Sequence, residues 1–380
     1  MKRFLSGLLA ILISGAALAL ASNLSVADDD TLLLLQVFDK GKFVETLNLS
    51  DFEVFTGEKL LEVKGLSLIK GLKEKRKEGA EIKSAILPRV IVLEFRGYEY
   101  DQKLGQMVEH LFRRPYSPSD TISLVTPVNV YGFFSESLRD RTPEELINAG
   151  SSILKRDLSV TGKTENEIIQ ELTRLVLDLQ QGSSAKETLM QYQQNLESLK
   201  NIRKFNTDTL LVAAGRFSEV RALKHYVIIY QQEFLPIPNS EMMDSLLANR
   251  SIMFQASELF RSIPSDESVN LEPIIEELRR SGIVVDFIYF KTNPRPRPDI
   301  QLRELSTDMF DIYSKMAYAT GGFVGSSATP SAQLKKILEN TENYYLISYA
   351  GSSGENLEKP SSGVKARIKN KDYELTYVKL

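Results

Sequence analysis

The first side chains that could do chemistry follow the apolar run VIVL at residues 90–93. They are Glu94, Arg96 and Tyr98, with Gly97 before the tyrosine. In an open α/β sheet, functional residues lie where buried strands end, at the carboxyl edge of the sheet. An arginine offers five donors, no acceptor and a permanent positive charge, so Arg96 cannot coordinate a metal ion and would repel one. Three interpretations of this stretch remain open. It is a working site, a site that has lost its chemistry, or only the end of a strand.

The residue types elsewhere exclude several kinds of active site. The sequence contains no cysteine, which excludes zinc–thiolate sites, iron–sulfur clusters, disulfides and cysteine nucleophiles. His110 and His225 are the only two histidines, so a Ser-His-Asp hydrolase would have to use one of them. We predict that both are structural or exposed, and no G-x-S-x-G nucleophile motif occurs.

The segment TGKTENE at residues 161–167 ends like a phosphate-binding loop. The first glycine of such a loop would be at position 157, where Asp157 stands, and no strand precedes the segment. Thr164 and Glu167 instead predict a capping box at the start of a helix. Nucleotide binding is therefore not expected.

Composition and the N-terminus indicate an exported globular protein. The chain has 380 residues, 42% of them hydrophobic, which is enough for one large domain and a small one. Its net charge of −3 provides no field that would attract nucleic acid. Residues 1–27 have Lys2 and Arg3, an apolar run and small residues up to Ala21 and Ala27, the pattern of a signal peptide. We predict cleavage after Ala21 or Ala27, a periplasmic or secreted location and no membrane insertion afterwards; an uncleaved anchor is the alternative.

The hydrophobic pattern divides the remaining chain. Short alternating strands predict a small N-terminal β domain at residues 28–70, and a mixed-charge run predicts a solvated linker or helix at 71–87. Between residues 88 and 380, buried strands alternate with helical segments, which predicts an α/β domain with a doubly wound, mostly parallel sheet. Apolar residues at helical spacing predict a helical insertion in it at about 139–205.

Several short motifs occur in an order that resembles a known family. They are FDKGKFVETLNLSDFEVFTGEKLLEV, RVIVLEF, PSDTISLVTP, KHYVIIYQQEF, MAYATGGFVGS and NYYLISYAG. Their order and spacing resemble bacterial VWFA-related proteins, which are exported chains built on a von Willebrand factor type A domain. The resemblance covers about residues 31–135 and 186–378. It implies a Rossmann-like fold with its site at the carboxyl ends of the strands.

The family site is a metal ion held by D-x-S-x-S after the first strand and by a threonine and an aspartate from later loops. Hydroxyl and carboxylate oxygens suit Mg²⁺, which prefers hard ligands. By resemblance, Glu94 stands at the first aspartate, whereas Arg96 and Tyr98 replace both serines. The later aspartate falls within residues 231–233, which are Gln-Gln-Glu. The resemblance thus implies a degenerate metal-ion-dependent adhesion site, and we expect no bound metal.

Two roles remain open for Arg96. Its guanidinium can take the place of the metal as an internal cation, paired with Glu94, Asp101 or Glu233. Alternatively, the side chain points into solvent.

We therefore expect a non-catalytic module for protein–protein interaction, adhesion or scaffolding in the cell envelope or exterior, without cofactor, metal or small-molecule substrate. Exposed arginine and tyrosine side chains are typical interface anchors. The candidate interaction face consists of Glu94, Arg96, Gly97, Tyr98, Tyr100, Gln231 and Glu233. One alternative is a structural scaffold that assembles through the helices of residues 139–205, and another is an unrecognised hydrolase.

Overall fold

The computed structural model describes most of the chain beyond the N-terminus. The described residues are 30–39, 42–80, 82, 86–97, 99–117, 119–180, 184–203, 205, 207–218, 220, 222–261, 269–294, 300–350, 364–369 and 373–379. The predicted signal peptide at residues 1–27 lies outside them. Within these ranges, no helix is both long enough and apolar enough to cross a bilayer.

The part of the chain that the structure describes contains seventeen strands, ten α-helices and a short 3-10 helix at Leu49–Asp51. The strands are β1 (Asp30–Asp39), β2 (Lys42–Phe43), β3 (Phe52–Thr56), β4 (Lys59–Leu61), β5 (Val63–Lys70), β6 (Lys73–Gly79), β7 (Arg89–Arg96), β8 (Thr121–Val125), β9 (Val130–Phe133), β10 (Leu223–Gln231), β11 (Phe234–Pro238), β12 (Ile283–Phe290), β13 (Ile300–Glu304), β14 (Val324–Ser327), β15 (Asn343–Ala350), β16 (Val364–Ile368) and β17 (Glu374–Lys379). The helices are α1 (Gln102–Phe112), α2 (Ser135–Asp140), α3 (Pro143–Gln180), α4 (Ala185–Arg203), α5 (Asp208–Phe217), α6 (Ser240–Ala248), α7 (Met253–Arg261), α8 (Glu272–Arg280), α9 (Thr307–Thr320) and α10 (Pro330–Thr341).

Six strands form the central sheet in the order β14-β12-β10-β7-β8-β9. Neighbouring strands are parallel except for β9, which returns antiparallel to β8 after a tight turn that contains Pro127. The apolar runs of β7, β10 and β12 are buried almost throughout, as expected for strands with helices on both faces. The mixed α/β architecture and the mostly parallel sheet are thus confirmed, and they are consistent with a Rossmann-like fold.

The side chains of each central strand alternate between two separate cores. Ile91, Leu93 and Phe95 of β7 pack with α1, α10 and the first half of α3. On the opposite face, Val90 and Val92 pack with α5, α8 and α9. Glu94 and Arg96 continue this second row of β7, so their side chains leave the strand on the side of α9.

A second, antiparallel sheet combines strands from both ends of the chain. β1 lies between β15 and β17, and β5 lies between β15 and β6. The tyrosine-rich strand at the end of the predicted α/β domain, β15, thus pairs with N-terminal strands and not with the central sheet. The alternation of apolar residues predicts that strand, but it does not specify the partner, because register and pairing depend on the other strands. Inward-facing residues of β1 and β15 share a core with β3, which forms a small sheet with β4 and β16.

Part of the charged segment at residues 71–87 is a strand and not a linker or a helix. β6 pairs with β5 and forms an edge of the second sheet. Arg76 of β6 donates a hydrogen bond to the carbonyl of Leu47, and Glu78 accepts one from the N–H of Leu49 (2.7 Å). Charged side chains suit an edge strand because they discourage pairing with other molecules. The sequence predicts a solvated linker here because the segment is rich in charged residues of both signs. The alternating apolar residues that would indicate a strand are missing.

The insertion at about residues 139–205 consists of α2 and a hairpin of two long helices, α3 and α4. The helix α3 continues for 38 residues, so Thr164 and Glu167 lie in its interior and the predicted capping box is wrong. The hairpin packs with α6, α7, β11 and β13 in an apolar cluster of its own. Asp157 of α3 accepts a hydrogen bond from Thr126 Oγ1 (2.7 Å), directly after the end of β8. The insertion therefore passes over the carboxyl edge of the central sheet.

Candidate functional site

The carboxyl end of β7 carries an internal ion pair. Arg96 Nε and Nη2 lie 2.8 and 2.6 Å from Glu94 Oε1, and the guanidinium carbon lies 5.9 Å from the centre of the Tyr313 ring on α9. The Arg96 side chain is 23% exposed. Burial lowers the pKa of Arg96, but the charge of Glu94 and the phenols of Tyr313 and Tyr226 raise it above its ordinary value. Of the two roles open to Arg96, the structure shows the internal cation paired with Glu94.

The residues at this position do not fit a divalent metal ion. Glu94 Oε2 is buried without a hydrogen bond of normal geometry, and its neighbours include the phenols of Tyr226 and Tyr313 and the Arg96 guanidinium. Mg²⁺ prefers several hard oxygen ligands in a small octahedron, and a guanidinium repels it. Among the described residues, no cluster of three or more histidine or carboxylate side chains could hold a metal ion.

A second buried ion pair lies at the end of β10. Glu233 pairs with Arg203, the last residue of α4, and not with Arg96: Glu233 Oε2 lies 2.5 Å from Arg203 Nε. Tyr230 Oη donates a hydrogen bond to Glu233 Oε1 (2.9 Å). Arg203 Nη2 also lies 3.2 Å from Asp308 Oδ1 of α9. The insertion thus places a guanidinium among carboxylates at the edge of the central sheet.

Glu165 of α3 brings another carboxyl group against this ion pair, and its side chain is buried. Burial and the charge of Glu233 raise the pKa of Glu165 to about 8, and Arg203 opposes the shift only in part. Burial also raises the pKa of Glu233, although Arg203 lowers it. The two carboxyl groups titrate as a coupled pair. At neutral pH, the insertion therefore packs on the sheet edge with a proton held at Glu165.

Two glutamines hold the loops at the carboxyl edge. Gln231 Oε1 accepts a hydrogen bond from the N–H of Glu99 (3.3 Å), in the loop after β7. Gln232 Oε1 accepts one from the N–H of Thr292 (3.1 Å), in the loop after β12. Both glutamines are buried. The structure thus places Gln231 beneath the candidate interaction face, where it positions a loop.

The rest of the loop after β7 is partly turned inward. Tyr100 packs against the core beneath α1, and its hydroxyl lies 2.7 Å from the point that a Cβ on Gly105 would occupy. Asp101 caps α1 by accepting a hydrogen bond from the N–H of Lys103 (2.8 Å), so it is not the partner of the guanidinium. Tyr98 lies outside the described residues. Seven residues form the candidate interaction face. Of those that the structure describes, Arg96, Gly97 and Tyr100 are partly exposed and the others are buried.

Gly97→Ala is expected to lower the free energy of unfolding by about 1–2 kcal/mol, because it overpacks a buried contact. A Cβ on Gly97 would lie 2.7 Å from Gln231 Oε1 and would push that amide away from the N–H of Glu99. Urea unfolding measures the change. Gly215→Ala is the control, since a Cβ there meets nothing within 4 Å and alanine favours the helix. Equal unfolding midpoints for the two variants would contradict the role of Gly97.

Comparisons with known proteins leave the family open. No protein-family model matches the sequence, and neither does any curated protein. Among solved structures, the chain is similar to an aerotolerance-related membrane protein from Bacteroides fragilis, with a TM-score of 0.29 and 8% identity over 67% of this chain and 98% of that one. It is also similar to the human COPII-coat protein Sec24c, with a TM-score of 0.32 and 10% identity over 77% of this chain and 43% of that one. Similarities of this size identify neither a family nor a function.

Neither histidine lies at the carboxyl edge. His225 Nδ1 lies 2.7 Å from Asp286 Oδ2, and both side chains are buried near the amino end of β10 and in β12. His110 is exposed in the last turn of α1. The prediction for the two histidines is thus confirmed: His225 is buried in a structural contact and His110 is exposed.

No motif in the sequence indicates Arg203, Glu165 or Tyr313, although all three belong to the site. Arg203 and Glu165 lie on helices of the insertion, and Tyr313 lies on α9. Their distance in sequence from the strand ends does not indicate that they lie beside those ends in the fold. Contacts between distant segments depend on how the insertion packs. Tyr313 shares its helix face with Met309 and Met316, which predicts burial alone.

Proposed function

We propose that this chain is a non-catalytic protein-interaction module of the cell envelope or exterior that acts without a bound metal. The observation that carries the proposal is the Glu94–Arg96 ion pair at the carboxyl end of β7. It puts a fixed guanidinium where the resemblance would require a cation. The site of an open α/β sheet lies at this edge, and here positive charge from the chain itself fills it.

The accessible part of this edge supports contact with a protein rather than enclosure of a small substrate. The Arg96 side chain is partly exposed, and Glu99 and Lys291 are exposed in the loops after β7 and β12. The buried side chains of Gln231 and Gln232 hold these loops from below. Partly exposed arginine at the rim of a buried network is typical of a protein interface. Export of the chain belongs to the same proposal, and the leader pattern at residues 1–27 supports it.

Site-specific photocrosslinking tests the proposal. A photoreactive residue at position 99 is expected to crosslink a discrete protein in intact cells of the source, because Glu99 is exposed at the carboxyl edge. The matched control is position 280, where Arg280 is exposed at the end of α8 and hence toward the opposite edge of the sheet. Arg96→Ala should weaken the crosslink from position 99. The same products from both positions, or none from position 99, would contradict the proposal.

A scaffold that assembles through the insertion is a second candidate. Val160, Met190 and Ile202 are exposed apolar side chains on the hairpin of α3 and α4. The inward face of the hairpin is already used, because it packs within the chain against α6, α7, β11 and β13. Val160→Glu with Met190→Glu separates the two functions: loss of an oligomer in solution would favour the scaffold, and an unchanged mass would favour the first proposal.

A further inference from the structure

A pocket opens at one edge of the central sheet, between α5 and the strands β8 and β9. It holds about 410 Å³ of empty space, counting the solvent at its mouth, and its surface is almost entirely apolar. The sheet contributes Val125 and Val130 to its walls, and α5 contributes Val212, Ala213 and Phe217. Because the pocket is open to solvent, a group from outside the chain can enter it without displacing a side chain.

Two small residues leave space on this face of the sheet. Ser123 of β8 and Gly132 of β9 lie opposite each other in register, and they share a face with Val125 and Val130. Tyr131 points to the other face, where its hydroxyl donates a hydrogen bond to a carboxylate of α3 (2.8 Å). The end of the sheet therefore offers little side-chain volume on the side of α5.

The backbone of β9 presents polar groups at the same edge. The N–H of Thr126 donates to the carbonyl of Asn129 (2.9 Å), so these two residues form a hydrogen-bonded pair. Such pairs alternate along an antiparallel ladder, so the N–H and C=O groups of Val130 and Gly132 point away from β8. The N–H of Val130 donates to Asn129 Oδ1 (2.8 Å). Among the described residues, nothing pairs with the carbonyl of Val130 or with either backbone group of Gly132, which is exposed.

An extended chain fits both the edge and the pocket. Outward N–H and C=O groups of an edge strand are satisfied by the backbone of an added strand, and alternate side chains of that strand lie on the side of α5. A small apolar molecule in the pocket would leave the backbone groups of Gly132 unpaired. Val212 of α5 and Val128, in the turn between β8 and β9, are exposed apolar side chains that such a strand would cover in part.

We propose that a partner protein adds an extended segment to β9 and places an apolar side chain in the pocket beside α5. Arg216 also lines the pocket, which favours an acidic side chain over a basic one next to the apolar anchor. Binding forms hydrogen bonds and buries apolar surface, and it involves no covalent step. This second surface lies two strands away from the face around Arg96, and it does not require that the proposed partner binds there.

Selection from a phage-displayed library of decapeptides on the immobilised full chain tests the surface. The enriched peptides are expected to carry apolar residues at alternate positions, with more acidic than basic residues between them. The most enriched sequence is then synthesised, and calorimetry measures its Kd. N-methylation of one backbone amide at a time should abolish binding at the positions that pair with β9 and leave it unchanged at the amides that point away.

Variants of the chain separate the backbone contact from the pocket. Gly132→Pro should weaken binding by about tenfold or more, because it removes the outward N–H and leaves a peptide carbonyl unpaired. Gly132→Ala is the matched control, since it also adds a Cβ beside the Phe134 ring but keeps the N–H. Ala213→Leu should weaken binding by a similar factor because leucine fills the pocket. Gly215→Leu on the same helix should not, since a Cβ there meets nothing within 4 Å.

Three results would overturn the proposal. The first is that no peptide is enriched, or that the enriched peptide binds Gly132→Pro as tightly as Gly132→Ala. The second is a dimer in solution that Gly132→Pro dissolves, which would assign the edge to a second copy of the chain. The third is that 1-octanol stabilises the wild-type chain but not Ala213→Leu while no peptide binds, which would assign the pocket to a small apolar molecule.

Two features of the design keep these results decisive. If Gly132→Pro does not fold, the N-methyl series reports the backbone contact and the two leucine variants of α5 report the pocket. Failure of the peptide experiment leaves the proposed function standing, because the crosslink from position 99 tests that function at a different edge of the sheet.

Discussion

Arg89→Met is expected to lower the free energy of unfolding by about 3–5 kcal/mol, because it removes one partner of a buried ion pair and leaves the other charge uncompensated. Arg89 Nε and Nη2 lie 3.0 and 2.5 Å from Asp120 Oδ2, and both residues are almost fully buried. Methionine is unbranched and of similar volume, although shorter, so most of the loss should report the charge and not a large cavity.

The position of Arg89 explains why the expected loss is large. Arg89 begins β7 of the central sheet, and its Nη1 donates to Thr341 Oγ1 (3.3 Å) and lies 3.7 Å from Glu342 Oε1. Glu342 directly precedes β15, which belongs to the second sheet. Arg114 also pairs with Glu342, at 2.8 Å. One buried guanidinium therefore bridges the starts of strands in both sheets, so its loss should weaken their junction.

Urea unfolding with Arg280→Met as the control measures this effect. Arg280 pairs with Glu277 at the surface of α8, where water screens the ion pair and its loss should change the stability little. A loss for Arg89→Met as small as that for the control would show that the buried pair does not hold the junction. A reduced slope of the transition would indicate that the two sheets no longer unfold together.

The sequence predicts the elements of this fold better than their pairing. The runs VIVLEF and GIVVDFIYF are buried central strands, because consecutive β-branched and aromatic residues suit a strand that is covered on both faces. The strand at residues 342–350 has an equally clear pattern, yet it lies in the other sheet. Alternation specifies that a strand has a buried face, but not which strand lies beside it. The strand β6 could not be predicted for a different reason. Its residues are mostly charged, so they show no alternation of apolar and polar positions.

The candidate site divides in the same way. Glu94 and Arg96 are two residues apart on one strand, so they share a face, and their pairing could be expected from the sequence. The pairing of Glu233 with Arg203 could not, because 30 residues and a helix end separate them. Burial also reversed the expected use of Gln231, which holds a loop from below. Contacts within one element follow from its period, whereas contacts between elements depend on the packing of the whole insertion.

Glu165→Gln is expected to raise the free energy of unfolding by about 3 kcal/mol at pH 7. The pKa of Glu165 is about 8 in the folded chain, against 4.5 for the free side chain. At pH 7 the folded state thus retains a proton that the unfolded state has released, and each unit of pKa difference corresponds to about 1.4 kcal/mol. Glutamine is neutral in both states, so it removes this difference while keeping the shape of the protonated carboxyl group.

The pH dependence has a definite sign. Because the folded pKa lies above the unfolded one, the wild-type chain binds more protons when folded, and its stability falls as the pH rises. The fall should begin near pH 4.5 and end near pH 8, where Glu165 ionises beside Glu233 in the folded state as well. The variant should lack this part of the slope. The two chains should therefore be equally stable near pH 4 and differ most near pH 8.

Urea unfolding at several pH values between these limits measures the effect, with Glu167→Gln as the matched control. Glu167 lies two residues further along α3, and its side chain is 62% exposed. Its removal should change the free energy of unfolding by less than about 0.5 kcal/mol at every pH. Parallel pH profiles for the wild-type chain and Glu165→Gln would mean that Glu165 ionises without difficulty in the folded state, and that the insertion does not bury it against Glu233. The profiles of the wild-type chain and Glu165→Gln should instead converge toward pH 4, with the Glu167→Gln profile parallel to that of the wild type. This result would show that the folded chain is most stable when Glu165 is protonated.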